Sequence, residues 1–233
     1  DAIEKYARAL GLGQKTGIDL PGEAAGSVDS ASYYQSALAK KVAVVLTDTS
    51  LPADTSDKLA ATLAGCTSYD HIAAALQAAG IHDASLTAQI NEVVQAYRYR
   101  PSNVLSSAIG QGGHTATLIQ MAAYTAQIAN DGVRMTPTLF AGTTTGTPAA
   151  PQAQASGKLD IPASVLDTVQ SGMKSAVSTG TASSAFKGST LAIAGKTGSA
   201  QMSGKDACAW FVGYAPADDP QIAVAILIAQ GGQ

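Results

Sequence analysis

An amine, two hydroxyls and a glycine follow one another in the run Lys196, Thr197, Gly198 and Ser199. The run lies inside LAIAGKTGSAQ, whose apolar beginning predicts a strand. Because side chains alternate along a strand, Thr197, Ser199 and Gln201 share one face. Lys196 lies on the other face, and Gly198 leaves room for another chain to approach the backbone. An edge strand of this kind can pair with an extended peptide, donate hydrogen bonds to a carboxylate and offer a backbone N–H to a developing oxyanion.

Gly195, Lys196 and Thr197 are also similar to the end of a phosphate-binding loop. That loop needs a first glycine where Thr190 stands, and a helix directly after the Lys-Thr pair. A glycine and a polar hairpin follow here instead, so we predict no nucleotide site. Taken by itself, the tripeptide is more typical of an exposed hairpin, and only the rest of the chain decides between that and a peptide site.

The chain ends in three strand-like runs, LAIAGKTGSAQ, ACAWFVGYAP and QIAVAILIAQ. Their short links favour an antiparallel meander over parallel strands with crossovers. Helical spacing predicts two amphipathic helices before them. The inward residues expected are Leu118, Met121, Ala122 and Thr125 in the first helix, and Leu166, Val169, Met173 and Val177 in the second.

Residues 27–102 differ in character from the residues on either side. DTSDKLAATLAG, SYDHIAAALQAAG and SLTAQINEVVQAYRYR each combine a capping residue, helical periodicity and a nearby Gly or Pro. YYQSALAKKVAVVL is compatible with helix or strand. We therefore predict a mostly helical insert at 27–102 within a domain formed by 1–26 and 103–233. His71 and His82 lack the spacing of a metal pair on one helix face, so no metal site is predicted there.

Composition limits the classes of function. The 233 residues are 46% hydrophobic and 13% charged, with a formal net charge of -3. The chain is thus expected to be globular and lacks the basic surface that nucleic-acid binding needs. No apolar run approaches the roughly 20 residues that span a membrane.

The first residue, Asp1, is not a methionine, which predicts a processed or excised piece. Cys66 and Cys208 are expected to be buried free thiols.

Six segments then follow one another in a characteristic order: GLGQKTGIDLPGE, IGQG, LIQMAAYTAQIANDG, SGMKSAVSTGTA, AGKTGSAQ and AWFVGYAP. In this order they resemble the transpeptidase domain of penicillin-binding proteins, most like the monofunctional class B enzymes, over residues 1–26 and 103–230. The resemblance implies an α+β fold, with an antiparallel sheet flanked by helices, which is incomplete in this chain. It implies a D,D-transpeptidase that cross-links peptidoglycan through a serine acyl-enzyme and is stalled by β-lactams.

The same resemblance assigns roles to the KTGS run, which matches the third motif of the family. Lys196 would adjoin the serine of the family's SxN motif and favour an anionic substrate. Thr197 and Ser199 would bind the substrate carboxylate by their hydroxyls, and the Ser199 backbone N–H would form half of the oxyanion hole. Gly198 and Gln201 complete the expected substrate-binding strand. The family implies no cofactor and no metal, and a place at the extracytoplasmic side of the bacterial plasma membrane.

The nucleophile is expected outside this chain. In the family, SxxK and SxN precede GLGQKTGIDLPGE, but only ten residues precede that segment here and no SxN occurs. Two strings match SxxK, starting at Ser171 and Ser184 and ending at Lys174 and Lys187. The first lies on the polar side of a predicted helix and the second in a predicted loop. Neither is expected to be the nucleophile.

Alternatives to a transpeptidase stay open at this point. A penicillin-recognising or peptidoglycan-binding sensor, or a pseudoenzyme, would keep KTGS for binding alone, and a D,D-carboxypeptidase or β-lactamase would pass the acyl group to water. The expected partners are peptidoglycan stem peptides, β-lactams and the upstream segment with the nucleophile. Cell-envelope proteins are candidate partners of the insert through Tyr69, Tyr97 and Tyr99. A helical bundle without a partner is the simpler interpretation of the insert.

Overall fold

A computed structural model describes residues 2–139 and 154–232. The chain divides into two compact units, one formed by Asp1–Val28 with Gly113–Gln233 and the other by Asp29–Gly112. In chain order the helices are α1 (Ala2–Ala9), α2 (Ala31–Val45), α3 (Ala53–Ala64), α4 (Tyr69–Ala78), α5 (Ala84–Tyr97), α6 (Pro101–Ala108), α7 (Leu118–Ala129) and α8 (Ala163–Ser178). The strands are β1 (Val133–Met135), β2 (Ala155–Lys158), β3 (Ala194–Met202), β4 (Lys205–Ala215) and β5 (Ile222–Ile228).

The three final strands form an antiparallel sheet in the order β3-β4-β5, which confirms the predicted meander. Within the described residues, β3 therefore lies at one edge and has β4 as its partner. A second, two-stranded sheet pairs β1 with β2. The order of the larger sheet matters for function because an edge strand leaves alternate backbone N–H and C=O groups available to another chain.

One face of the larger sheet packs against α7 and α8. Its core joins Ile128 and Met173 from the two helices to Ala194 and Tyr214 from paired positions of β3 and β4. On the opposite face, the ring of Phe211 lies against Gly195 and Gly213. Apolar contacts on both sides thus fix the first half of β3, from which the KTGS run continues.

The inward face of α7 differs from the predicted stripe. Leu118, expected to be buried, has 46% of its surface exposed, whereas Gln120 and Gln127 are each 2% exposed. Burial of Gln120 is stable because its amide donates to the carbonyl oxygens of Gln14 and Ala25 at 2.7 Å each. The polar side chain therefore ties the loop after α1 to the start of α7, and hydrophobic spacing alone did not reveal this.

A similar shift occurs in α8. Leu166, Met173 and Val177 are buried as predicted, but Val169 is 40% exposed. The next residue, Gln170, lies over the end of α7 instead and donates to the Ile128 carbonyl oxygen at 2.8 Å. The prediction for Val169 was wrong: at the contact with the end of α7, the neighbouring Gln170 supplies an amide donor to the Ile128 carbonyl, which lies in the last turn of the helix.

The unit Asp29–Gly112 is a helical bundle around a core that includes Leu38, Val42, Leu63 and Ile72. The predicted cap is confirmed for α4, where the side chain of Ser68 accepts the N–H of His71. In α5 the cap is Asp83, two residues before the predicted segment, and α3 follows Pro52 without a side-chain cap. YYQSALAKKVAVVL, left open between helix and strand, lies in α2. The unit also contains α6, which begins at Pro101, and extends to Gly112.

The two cysteines are free thiols. Cys208 is buried as expected, with its sulfur 3.2 Å from the Met202 sulfur, whereas Cys66 is half-buried. Partial burial raises the pKa of the Cys66 thiol. None of the described helices has the length and apolar character needed to cross a bilayer.

Candidate functional site

The KTGS run occupies the middle of β3. Thr197 pairs with Phe211, Gly198 with Trp210 and Ser199 with Ala209. Since residues two apart in a strand lie on the same face about 7 Å apart, the hydroxyls of Thr197 and Ser199 form a short row. The row lies on the same sheet face as the Phe211 ring, and Lys196 lies on the α7 and α8 face.

The lysine amine lies at the exposed edge of the strand. Lys196 Nζ donates to the carbonyl oxygen of Thr197 at 2.7 Å, so the side chain curls along its own backbone. Among the described residues, no carboxylate lies within ion-pair distance of this amine. Its positive charge is therefore not neutralised within this part of the chain and is available to an anionic ligand.

The hydroxyl of Thr197 already has one hydrogen-bond partner. Its oxygen lies 2.7 Å from the hydroxyl oxygen of Thr181, in the turn that follows α8. Thr197 itself is half-buried, whereas Thr181 and Ser199 are exposed. A ligand approaching the strand edge would thus meet an ordered hydroxyl at position 197 and an accessible one at position 199.

Gly198 and Gln201 extend the strand on either side of Ser199. A Cβ at Gly198 would meet one atom within 4 Å, the Trp210 Cβ at 3.4 Å, which is about van der Waals contact with the cross-strand neighbour. Gln201 is exposed and lies where the pairing of β3 with β4 shifts register, between Ala200 and Met202. The shift ends the regular ladder on which Thr197 and Ser199 lie.

The two SxxK strings lie elsewhere in the same unit. Ser171 is exposed on α8, and Lys174 Nζ lies 2.6 Å from the Asp218 carboxylate. This hydrogen bond raises the pKa of Lys174, whereas a lysine that acts as a general base needs a lowered pKa. Ser184 and Lys187 are exposed in the turns between α8 and β3, and no hydrogen bond joins their side chains.

A groove of about 620 Å³ contains parts of both strings, including Lys174, Ser184 and Lys187. None of the KTGS residues lines it. The groove that contains these side chains is therefore not lined by the hydroxyl row on β3. The structure gives no support to Ser171 or Ser184 as the nucleophile of that row.

Thr181 is the residue that sequence reasoning missed. It belongs to SGMKSAVSTGTA, a segment that carried part of the family resemblance without a role for any single residue. The signal available was its position at the end of a helix that leads directly toward the KTGS strand. A contact between residues 16 positions apart cannot be predicted from spacing, because it depends on how the segment between α8 and β3 folds back onto the strand.

The described residues contain no group of three His, Cys, Asp or Glu side chains that could hold a metal ion. The polar groups of the strand are instead hydroxyls, a lysine amine and backbone amides. Groups of these types recognise carboxylates and stabilise oxyanions. The strand therefore carries groups of the kinds that can bind a carboxylate or a peptide backbone.

Three characterised proteins have sequences similar to part of this chain. Penicillin-binding protein 2A of Bacillus subtilis is 32% identical over 143 residues, 54% of this chain and 20% of that protein. Peptidoglycan D,D-transpeptidase MrdA of Acinetobacter baumannii is 30% identical over 159 residues, 58% of this chain and 22% of that protein. Peptidoglycan D,D-transpeptidase PbpA of Mycolicibacterium smegmatis is 33% identical over 137 residues, 54% of this chain and 26% of that protein. The chain thus spans about a fifth to a quarter of the length of these relatives.

Solved structures give the same fold. Pseudomonas aeruginosa PBP2 in complex with WCK 5153 aligns with a TM-score of 0.64 and 25% identity, over 98% of this chain and 38% of that chain. Penicillin-binding protein 2B of Streptococcus pneumoniae aligns with a TM-score of 0.60 and 22% identity, over 100% of this chain and 30% of that chain. Helices flanking an antiparallel sheet therefore form a penicillin-binding-protein fold, as the resemblance implied.

A family model, that of the penicillin binding protein transpeptidase domain, matches residues 1–233. The match, the relatives and the fold agree with the order of motifs along the chain, and they are consistent with class B of the family. Together they establish that this chain belongs to the penicillin-binding protein transpeptidase domain family.

Proposed function

We propose that this chain is the C-terminal part of the transpeptidase domain of a class B peptidoglycan D,D-transpeptidase. The observation that carries the proposal is the edge strand β3, where the Lys196 amine and the hydroxyls of Thr197 and Ser199 follow one another. A D-alanyl-D-alanine stem end is an extended peptide that ends in a carboxylate. Such a ligand matches both the open strand edge and the hydroxyl row.

Each residue of the strand then has a role. The Lys196 amine supplies positive potential for the anionic stem, and the hydroxyls of Thr197 and Ser199 donate to its carboxylate. The backbone N–H of Ser199 stabilises the oxyanion of the tetrahedral intermediate. Gly198 lets the substrate backbone approach, and Gln201 lies beside the substrate at the end of the strand.

The nucleophile comes from a segment upstream of this chain. Two facts support this: the sequence contains no SxN, and the chain spans only 20% to 26% of its curated relatives. The serine oxygen would attack the carbonyl carbon of the penultimate D-alanine, and the C–N bond would break. The terminal D-alanine then leaves as a free amine, and an amine of a neighbouring stem attacks the ester, forms the cross-link and releases the serine.

The whole protein would act in the bacterial cell envelope, on the extracytoplasmic side of the plasma membrane. We also propose residues 27–102 as an insert in the transpeptidase domain and as a docking surface for a cell-envelope protein. Tyr69 and Tyr97 suit this role, with 42% and 49% of their surface exposed, and the Lys41 amine lies 4.1 Å from the Tyr97 ring centroid. Tyr99 suits it less, because its ring packs against Tyr34.

Labelling with a fluorescent penicillin tests the proposed activity. The purified protein that contains this chain is labelled, and the labelled residue is identified by intact mass and peptide mapping. Label on the serine of an SxxK motif outside residues 1–233 supports the proposal, whereas label on Ser171 or Ser184 contradicts it. A folded protein that takes no label favours a non-catalytic module. Incubation with stem peptides then separates cross-linked products from release of D-alanine alone, which would indicate a carboxypeptidase.

For the insert, the test is a pull-down of envelope proteins with Tyr69→Ala and Tyr97→Ala variants. Loss of a partner that the unchanged protein captures supports docking. An identical set of captured proteins contradicts it.

A further inference from the structure

The turn after α8 is attached to the KTGS strand at two points. Thr181 lies with its hydroxyl oxygen 2.7 Å from that of Thr197. Five residues later, the ring of Phe186 packs on Phe211 with centroids 5.3 Å apart, and Phe211 is the cross-strand partner of Thr197. The turn therefore holds both Thr197 and its neighbour on β4.

The position of Thr181 is fixed by the residues around it. Ala182 is 3% exposed, and its N–H donates to the Ala176 carbonyl oxygen at 3.0 Å, which anchors the turn to the last part of α8. The buried Ala182 and the Phe186 contact, both just after Thr181 in the chain, hold the turn at the strand. This is the geometry expected of a supporting residue rather than of a mobile surface threonine.

The chemistry of two paired hydroxyls depends on which one donates. Each hydroxyl has one proton and two acceptor lone pairs, and either oxygen could be the donor at this distance. A bound carboxylate accepts hydrogen bonds and has none to donate. If Thr181 donates to the Thr197 oxygen, the proton of Thr197 is left for the carboxylate. If Thr197 donates to the Thr181 oxygen instead, the Thr197 proton is engaged within the pair, and a lone pair of the Thr197 oxygen faces the anion.

We propose that Thr181 is a positioning residue that donates to Thr197 and thereby directs the Thr197 proton at the carboxylate of the ligand. The inference rests on the proposed function of β3 as the carboxylate-binding strand. Donation along the chain Thr181, Thr197, carboxylate also strengthens each hydrogen bond in it, because the hydroxyls polarise one another. Thr181 thus makes the site selective for ligands with a free carboxylate.

The test compares two penicillins on the longer protein that includes the upstream segment. Acylation by benzylpenicillin and by its methyl ester, which lacks the carboxylate, is resolved into a dissociation constant and an acylation rate constant. Thr181→Val keeps the shape of the side chain and removes the hydroxyl. We expect it to weaken benzylpenicillin binding by about three- to tenfold. Binding of the methyl ester and both acylation rate constants should change less than twofold.

Conservative variants separate this role from a structural one. Thr181→Ser keeps the hydroxyl and should bind benzylpenicillin as the unchanged protein does, whereas Thr181→Ala should bind as Thr181→Val does. Thr190→Val removes an exposed hydroxyl that makes no hydrogen bond within the described part of the chain, and it serves as the control. If Thr181→Val folds poorly, the comparison of Thr181→Ser with Thr181→Ala still tests the inference, because these two variants differ only in the hydroxyl.

Three outcomes would overturn the inference. Thr181→Val could bind benzylpenicillin normally, it could lose the acid and the ester equally, or Thr181→Ser could fail to restore binding. Failure of the proposed function gives a different result, because the unchanged, folded protein would then not be acylated by benzylpenicillin at all.

Discussion

The ring of Phe211 lies against Gly195, the residue directly before Lys196, so closely that no side chain fits between them. Gly213 on β4 leaves room for the same ring, since a Cβ there would lie 2.9 Å from the Phe211 Cε1. The glycine before the lysine is thus explained by packing. It lets an aromatic ring cover the sheet immediately next to the hydroxyls of Thr197 and Ser199.

Gly195→Ala should therefore destabilise the protein. The added methyl group would displace the Phe211 ring or the strand, at a cost of about 1–3 kcal/mol. Gly172→Ala is the matched control, because Gly172 lies in α8 with nothing within 4 Å of an added Cβ. It should leave stability unchanged or raise it by up to about 1 kcal/mol. Denaturant unfolding of both variants checks this, and equal midpoints would contradict the packing argument.

Removal of the polar groups of β3 should weaken acylation by penicillin in the longer protein. A hydrogen bond to a charged group contributes about 1.5–3 kcal/mol, so Thr197→Val should lower the second-order rate constant by roughly 10- to 100-fold. Lys196→Met should have at least as large an effect, because it removes a full charge. Lys205→Met removes an exposed lysine near the hairpin of β3 and β4 and is the control. If β3 only supported the fold, Thr197→Val and Lys196→Met would be acylated as fast as Lys205→Met.

The SxxK strings of this chain should be dispensable for labelling. Ser171 is exposed on α8, and the Lys174 amine is held by Asp218 with its pKa raised. Ser171→Ala, Ser184→Ala and the double variant should each keep the fluorescent penicillin label of the unchanged protein. Loss of label from a folded variant would return that serine to consideration as the nucleophile.

Glu23 should make stability depend on pH in the acid range. Its carboxylate accepts the N–H and hydroxyl of Thr16 at 2.7 and 2.6 Å, and chiefly the hydroxyl hydrogen bond lowers the pKa of Glu23 below its ordinary value of 4.5. A lowered pKa in the folded state means that the stabilisation is present above pH 4.5 and is lost as pH falls through the folded value.

The thermal midpoint of Glu23→Gln should therefore lie below that of the unchanged protein at pH 7. The two midpoints should converge below pH 4.5. Lys15→Met tests whether charge attraction contributes, and it should have the smaller effect because Lys15 is the weakest influence on this pKa. If the two thermal midpoints differ by the same amount at every pH, Glu23→Gln would be less stable because of a steric misfit and not because the charge is lost.

The sequence by itself determined the family, the antiparallel meander and the residue types of the candidate strand. These features depend on local signals: capping residues start the helices, and short links force adjacent strands to run antiparallel. The order of the motifs also indicated that the catalytic SxxK and the SxN lie outside these residues, which stays a proposal about the longer protein. Helical periodicity was less reliable in predicting which side chains are buried, since Leu118 and Val169 are exposed.

Only the tertiary structure decided what surrounds the KTGS run. The amides of Gln120 and Gln170 are stable where they lie because carbonyl oxygens distant in the chain accept from them, and no spacing rule encodes such pairs. The contact of Thr181 with Thr197 has the same origin, because it exists only where the turn after α8 folds back onto β3. Local sequence thus fixed which chemical groups are present, and long-range packing decided which of them meet.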